Sequence, residues 1–207
     1  MDKIIVVAGA NGNLGKRICI ALVEKGAKVK ALIRKETNSK TKEELETLGL
    51  EVFPIDYSDT QTLTDICKDA HCVVSAFAGL EEVIIKIQKK LLNAAVAAGV
   101  RRFIPSDYSL DFTNFSHGEN RNLDLRREFH KYLDVQAIAP TSIFNGAFME
   151  MLTDQIPMIS FKKKRITYWG EARHEMGFTT MDDTAKFTAN AAMDDCTPRY
   201  LRISGHN

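Results

Sequence analysis

The chain has 207 residues, with 28 Lys+Arg against 27 Asp+Glu and a formal net charge of +1. At about 150 residues per domain this is roughly one domain, long enough to bury about 70% of its unfolded surface without a disulfide or metal staple. A hydrophobic share of 44% and a charged share of 27% exclude wholesale disorder and collagen-like or low-complexity architectures, and the near-neutral balance gives no electrostatic case for nucleic acid or an anionic membrane.

Through the first two thirds, short β-branched runs alternate with segments of helical period. Residues 3–8 read as a first strand, a continuous apolar run of the kind covered on both faces. Leu14, Ile18, Ala21 and Leu22 then make one apolar helix face. Residues 28–33 are a second strand, 42–48 a short helix, 50–55 a third strand, 62–68 a short helix and 72–75 a fourth strand. A longer helix carries Val83, Ile87, Leu91, Ala94 and Ala98 on one face, and residues 102–105 form a fifth strand. Residues 123–131 read as a helix, and the apolar segment 135–144 is predicted to add another strand. Such alternation means right-handed βαβ crossovers and a parallel sheet.

After about residue 145 the pattern changes. The basic run 162–165 is expected as a solvated turn, followed by short extended segments at 166–169 and 176–180. A helix from Asp182 to about Met193, capped near Thr180 or Met181, precedes a last strand over 200–203. No internal repeat or Pro/Gly/Ser-rich linker separates this tail from the sheet.

Apolar stretches such as residues 4–8 are far too short to span a bilayer, and the chain opens on a strand rather than a signal-peptide core. The four cysteines, Cys19, Cys67, Cys72 and Cys196, show no CxxC, so reduced thiols in a cytoplasmic protein are expected. The five histidines show no HxxxH spacing, so no metal site is expected.

The strongest motif is Gly9-Ala-Asn-Gly12-Asn-Leu-Gly15, which begins where the first strand ends and runs into the first helix. A tight turn at Gly9 needs unusual backbone angles, a small Gly12 lets a pyrophosphate approach, and Gly15 lets the helix pack closely on the strand. The helix N-terminus offers free N–H groups to phosphates. Asn11, Asn13 and Leu14 complete the expected contact set. The spacing is GxxGxxG, which points toward short-chain-dehydrogenase-like folds.

An NAD site places an acid at the end of the second strand, on the ribose 2′-OH. Here the strand is followed by Arg34-Lys35, and a guanidinium suits a 2′-phosphate. NADP(H) is therefore the expected cofactor. Asp56-Tyr57, after the third strand, is expected near the adenine. Ser75-Ala76-Phe77-Ala78-Gly79 ends the fourth strand, its small residues letting the cofactor lie across the carboxyl edge of the sheet. Phe77 either covers the adenosine ribose or plugs the core.

These residues resemble the NmrA-like and isoflavone-reductase-like family of atypical short-chain dehydrogenases. The opening turn and Arg34-Lys35 match its cofactor positions. Val100-Arg-Arg-Phe-Ile-Pro-Ser-Asp-Tyr108 is similar to its V-x-R-F-x-P-S-E-F/Y segment, Asn145-Gly-Ala-Phe-Met-Glu150 to its P-G-x-F-M-E segment, and Phe178-Thr-Thr-Met-Asp-Asp-Thr184 to its F-T-x-V-x-D stretch. The resemblance implies an α/β fold, a Rossmann-type doubly wound parallel sheet with a small C-terminal α+β lobe. Residues 1–145 would form the NAD(P)-binding domain and 146–207 a substrate-side appendage that is not an independent domain. Asn145 joins the expected cofactor contacts. Against the family the chain looks short, either naturally compact or truncated.

Short-chain dehydrogenases typically use Tyr-x-x-x-Lys, and this chain has no such pair: Phe112, Gln136 and Ala172 stand four residues after Tyr108, Tyr132 and Tyr168. The reductase branch of the resembled family instead uses a Lys on the helix after the P-S-E-F segment, where the alignment puts Arg126. Arginine cannot give up a proton near neutral pH, but it can bind ribose or phosphate or stabilise charge on a substrate oxygen. A slipped alignment would turn His130 or Lys131 inward instead. Ser106 and Tyr108 complete the candidate catalytic set with Arg126.

Three functions follow as expectations. The first is an NADP(H)-dependent reductase giving hydride to a small apolar quinone or enone. The second is a non-catalytic NADP(H) redox sensor acting through a protein partner, which the missing Tyr-Lys pair favours. The third is a sugar-nucleotide epimerase-like enzyme. Phe112, Phe148, Met149, Met151, Trp169 and Phe178 are apolar pocket candidates. Oligomeric state is not legible.

Overall fold

The computed structural model describes residues 3–152, 158–168 and 177–205. Its core is a parallel sheet built from β1 (Ile4–Ala8), β2 (Lys28–Arg34), β3 (Glu51–Ile55), β4 (Cys72–Ser75), β5 (Arg102–Ile104) and β6 (Ala139–Pro140) in the order β3-β2-β1-β4-β5-β6. The order reverses direction at β1, whose Ile5 pairs with Val29 of β2 on one side and Cys72 of β4 on the other. That reversal is the switch point at which open α/β sheets bind ligands.

Helices α1 (Asn13–Glu24), α2 (Ser39–Glu46), α3 (Thr60–Cys67), α4 (Gln88–Ala97) and α5 (Arg121–Leu133) make the crossovers. Alternate strand residues face opposite layers. Ile5, Val7, Ala31 and Ile33 pack with Ile18, Leu22 and Leu45 on one face. Val6, Ala8, Leu32 and Val73 pack with Leu63, Leu91, Leu92 and Phe129 on the other. The helices begin where short polar residues accept amides: Asn38 from Thr41, Asp59 from Thr62 and Asn120 from Asn122. The caps place α2 and α3 two to three residues ahead of the periodicity-based starts, because a cap precedes the first apolar position.

The segment 135–144 is not one strand. Val135 is exposed, and the chain pairs first with β5 through β6 and then, after Thr141, with β12 (Tyr200–Arg202) through β7 (Ser142–Phe144). Pro140 has no N–H to donate. The ladder resumes with Thr141 N–H bonding the Phe103 carbonyl at 3.0 Å and Ser142 N–H bonding the Arg199 carbonyl at 2.8 Å.

Beyond β7 come β8 (Ala147–Phe148), the antiparallel pair β9 (Ile159–Ser160) and β10 (Arg165–Ile166), β11 (Phe178–Thr179), which pairs parallel with β8, and α6 (Met181–Met193). Residues 162–164 of the basic run lie in the exposed turn between β9 and β10, and Arg165 opens β10. Thr180 caps α6 by accepting the Asp183 N–H at 3.0 Å. Ala185, Ala189 and Ala192 of α6 enter the same core as Ile5 and Ile18. Trp169 and Met176 lie outside the described residues. No helix among the described residues is long and apolar enough to cross a membrane, and all four cysteines are free.

Candidate functional site

The glycine turn sits at the carboxyl end of β1. Gly9 has φ +78°, and a Cβ there would stand 2.7 Å from the Ala76 carbonyl oxygen. A Cβ on Gly15 would stand 2.1 Å from the Gly9 carbonyl oxygen, so Gly15 admits the turn itself rather than the strand. Gly12 occupies the N-cap of α1 in extended conformation, and no side chain caps the helix. The amides of its first turn therefore remain available to a ligand.

A cleft of about 270 Å³ opens beside this turn, lined by Gly9, Asn11, Gly12, Leu32, Arg34, Tyr57, Ala76, Phe77, Ala78, Val83 and Ile87. Tyr57 and Phe77 meet edge to face at 5.3 Å, forming an aromatic wall. Burial pushes the Tyr57 phenol up, with Arg34 and the Gly9 amide opposing. Arg34 ends β2 at the cleft and is exposed. Phe77, for which two roles were open, lines the cleft. Leu32, Val83 and Ile87 are cleft residues that the sequence marked only as core positions.

Other expected contacts lie elsewhere. Lys35 is not in the lining, and its amide bonds the Ile55 carbonyl. Asp56 folds onto its own turn, accepting from the Ser58 amide at 2.8 Å and its hydroxyl at 2.7 Å. These two bonds, the amide first, hold its carboxyl below the usual carboxylate range. The Asn13 side chain accepts from Arg17, which pairs with Asp182 of α6. Leu14 packs on the core, and Gly79 sits against the Val83 side chain.

Ser106 follows β5 and is 2% exposed. Its hydroxyl donates to the Phe77 carbonyl, its amide to Gln88 Oε1 at 2.9 Å, and its carbonyl accepts from Arg126 Nε at 3.0 Å. Gln88 is buried and also donates to the Ile84 carbonyl. It thus ties β5 to the π-helical stretch Glu82–Ile87, which leads into α4 and carries Val83 and Ile87 into the cleft. Gln88, a polar residue inside an apolar helix, is not marked by any pattern in the sequence.

Tyr108 points away from the cleft. It packs in the core layer that holds Ile18 and Ala189, and its hydroxyl faces Thr188 of α6 without making an ordinary hydrogen bond. Burial pushes the phenol up, so it holds its proton. Arg126 is half-buried on α5. Burial lowers its pKa against the pull of Asp107, and it remains a cation.

His130 is buried, 2.6 Å from Asp107 Oδ2 through Nε2 and 3.2 Å from an Arg199 nitrogen through Nδ1. Arginine only donates, so Nδ1 accepts and Nε2–H donates to Asp107. This bridge ties α5 to the segment after β5 and to Arg199 just before β12, and engages both ring nitrogens of His130. Lys131 is exposed. Asn145 is fully buried, its two side-chain amide atoms have no partner among the described residues, and the Thr179 hydroxyl donates to its backbone carbonyl at 2.7 Å. Phe112 is buried core, beneath Phe144 and Leu123.

The chain is 28% identical over 211 residues to pinoresinol reductase 1 of Arabidopsis thaliana, covering 95% of this chain and 66% of the relative. It is 26% identical over 216 residues to isoflavone reductase of Medicago sativa, covering 93% of this chain and 67% of that protein. The chain thus spans about two thirds of the length of the relatives it matches. Among solved structures, AtPrR2 with NADP+ and (+)-pinoresinol superposes with a TM-score of 0.84 at 24% identity, over 99% of this chain and 70% of that one. NADPH-dependent quinone oxidoreductase QOR2 of Escherichia coli, complexed with NADPH, superposes with 0.76 at 21% identity, over 98% of this chain and 69% of that one. These likenesses confirm the Rossmann-type α/β fold. A family model described as NmrA-like matches residues 1–206, and the chain belongs to the NmrA-like family.

Proposed function

We propose that the chain binds NADP(H) across the carboxyl edge of its sheet and serves a reductase acting on a small aromatic enone or quinone. The phenylpropanoid and isoflavonoid reductases among its relatives favour a conjugated aromatic substrate over a simple quinone. The observation that carries the cofactor reading is Arg34 in the cleft, across from the uncapped start of α1. One provides a cation for a 2′-phosphate, the other amides for a diphosphate. The unpartnered amide of Asn145 fits a group that both donates and accepts, as a carboxamide does.

The cofactor would supply hydride from its reduced nicotinamide; the chain's part is orientation and electrostatics. Gly9, Gly12 and Gly15 keep the backbone close to the phosphates. Tyr57 and Phe77 wall the adenosine side. Ser106, held by Gln88, Phe77 and Arg126, fixes the floor between the cleft and α5. Tyr108 lies in the core layer away from the cleft and Arg126 keeps its proton, so neither serves as the acid that completes reduction. Residues 146–207 would flank the substrate side.

Arg34→Glu tests the cofactor reading. NADPH affinity is expected to fall by at least about tenfold, a charge-assisted contact being worth roughly 1.5–3 kcal/mol, while NADH affinity stays within about twofold. Equal loss for both cofactors, measured by nicotinamide fluorescence titration, would overturn it.

A further inference from the structure

We infer that Gln88 is a positioning residue for the nucleotide cleft. Its side chain holds the helix register that puts Val83 and Ile87 on the cleft wall, and couples that wall to Phe77. The inference rests on the cofactor reading above and names a group, outside the cleft, on which nucleotide affinity depends.

Gln88 stands where the π-helical stretch Glu82–Ile87 gives way to α4. Its backbone amide bonds the carbonyls of Val83 and Ile85. It therefore passes over the carbonyl of Ile84, the acceptor four residues back that an α-helix would give it. The Gln88 side chain takes up the carbonyl that its own backbone leaves: Nε2 donates to Ile84 O at 3.0 Å. Ile84, Ile85 and Gln88 are all buried, and a buried carbonyl without a donor is costly. The side-chain bond thus favours the π register, which is otherwise the rarer one.

The other half of the same amide fixes this register against the sheet. Gln88 Oε1 accepts the Ser106 amide at 2.9 Å, and the Ser106 hydroxyl donates to the Phe77 carbonyl. Val83 and Ile87 line the cleft from the π-helical stretch, and Phe77 lines it from the segment after β4. Gln88 is not itself in the lining, so it acts through the residues it holds. Val83 is closely seated, since a Cβ on Gly79 would stand 2.8 Å from its side chain. A slip of one residue into the α register turns the side chains ahead of Gln88 by about 100°. That slip takes Val83 off Gly79 and out of the wall.

Gln88→Met keeps the length of the side chain and removes both bonds. NADP+ affinity, titrated calorimetrically well below the thermal midpoint, is expected to fall by at least about tenfold. Gln88→Glu supplies the rescue. Its protonated carboxyl donates and accepts as the carboxamide does, whereas the ionised form has no proton for Ile84 O. Burial favours the protonated form, so affinity relative to the unaltered protein is expected to return to within about twofold as the pH is lowered from about 8 to about 6. A purely structural role would lower the thermal midpoint and leave the affinity of the folded protein unchanged. That result would overturn the inference, and so would a Gln88→Glu affinity as low as that of Gln88→Met at every pH. Amide hydrogen exchange of the unaltered protein needs no variant to fold: NADP+ is expected to slow exchange at 83–88 and at Ser106 as well as at the start of α1. Protection confined to the start of α1 would count against Gln88. A protein that binds no NADP+ refutes the cofactor reading and the inference built on it, whereas unchanged binding by Gln88→Met refutes the inference alone.

Discussion

A Cβ built on Gly15 meets backbone at 2.1 Å, whereas one built on Gly12 meets its nearest neighbour, the Gly9 carbonyl oxygen, at 3.2 Å. The two glycines therefore answer to different demands. Gly15→Ala must displace the turn or the helix start, and overpacking of this kind costs about 1–3 kcal/mol. A lower thermal midpoint is expected, visible by calorimetry without any ligand. Gly12→Val needs only a shift of a few tenths of an ångström in the protein, but its methyls stand over the amides that open α1. Cofactor affinity should fall by more than about tenfold while the midpoint moves by no more than about 3 °C. A Gly12→Val protein that binds NADPH unchanged would show that the turn is only structural. These glycines were legible in the sequence because their spacing is local. Arg34 was legible by the absence of an acid at a strand end. Tyr108 was not, because its direction depends on α6 docking about 80 residues later.

At the scale of elements, α6 is held to the sheet layer by small residues and started by a reciprocal cap. Thr180 Oγ1 accepts from the Asp183 amide at 3.0 Å and donates to Asp183 Oδ2 at 2.9 Å. Ala185, Ala189 and Ala192 then allow close approach to the core that holds Ile18 and Leu22 of α1. Thr180→Ala removes the cap and should cost about 1 kcal/mol, a drop of about 2–4 °C for a domain of this size. Thr180→Ser keeps the hydroxyl and should recover most of it, which a thermal melt of the two variants would decide. Strands β1 to β5 and their helices follow from period and burial alone. The bend between β6 and β7 did not, since the apolar pattern of 135–144 carries no trace of the partner exchange from β5 to β12. The cleft shows the same limit. Leu32, Val83 and Ile87 are apolar residues at core spacing, and only the assembled π-helical stretch turns two of them toward the cleft.

For the molecule as a whole, the question is how the last strand, which pairs with β7 outside the six-stranded sheet, is joined to that sheet. Buried Arg102 of β5 does this across three segments. One terminal nitrogen donates to the Thr141 hydroxyl and to the Thr197 carbonyl at 2.9 Å, and the other reaches the Asp195 carbonyl at 3.3 Å. The acceptors flank the start of β12 and the link between β6 and β7, so one side chain fixes the edge of the sheet on which Arg199 and His130 depend. Arg102→Met fills the space but leaves those oxygens without a donor, which should cost about 3 kcal/mol. If the edge unfolds with the rest, the urea midpoint falls and the slope stays constant, because the same surface is exposed. If β12 detaches first, the slope falls and amides of 200–202 exchange well before those of β1. In the variant, the pairing of β12 with β7 and the bonds of Arg199 to Asp134 and to the Ser142 hydroxyl still hold the seam, which predicts the first outcome, a single cooperative transition at lower urea.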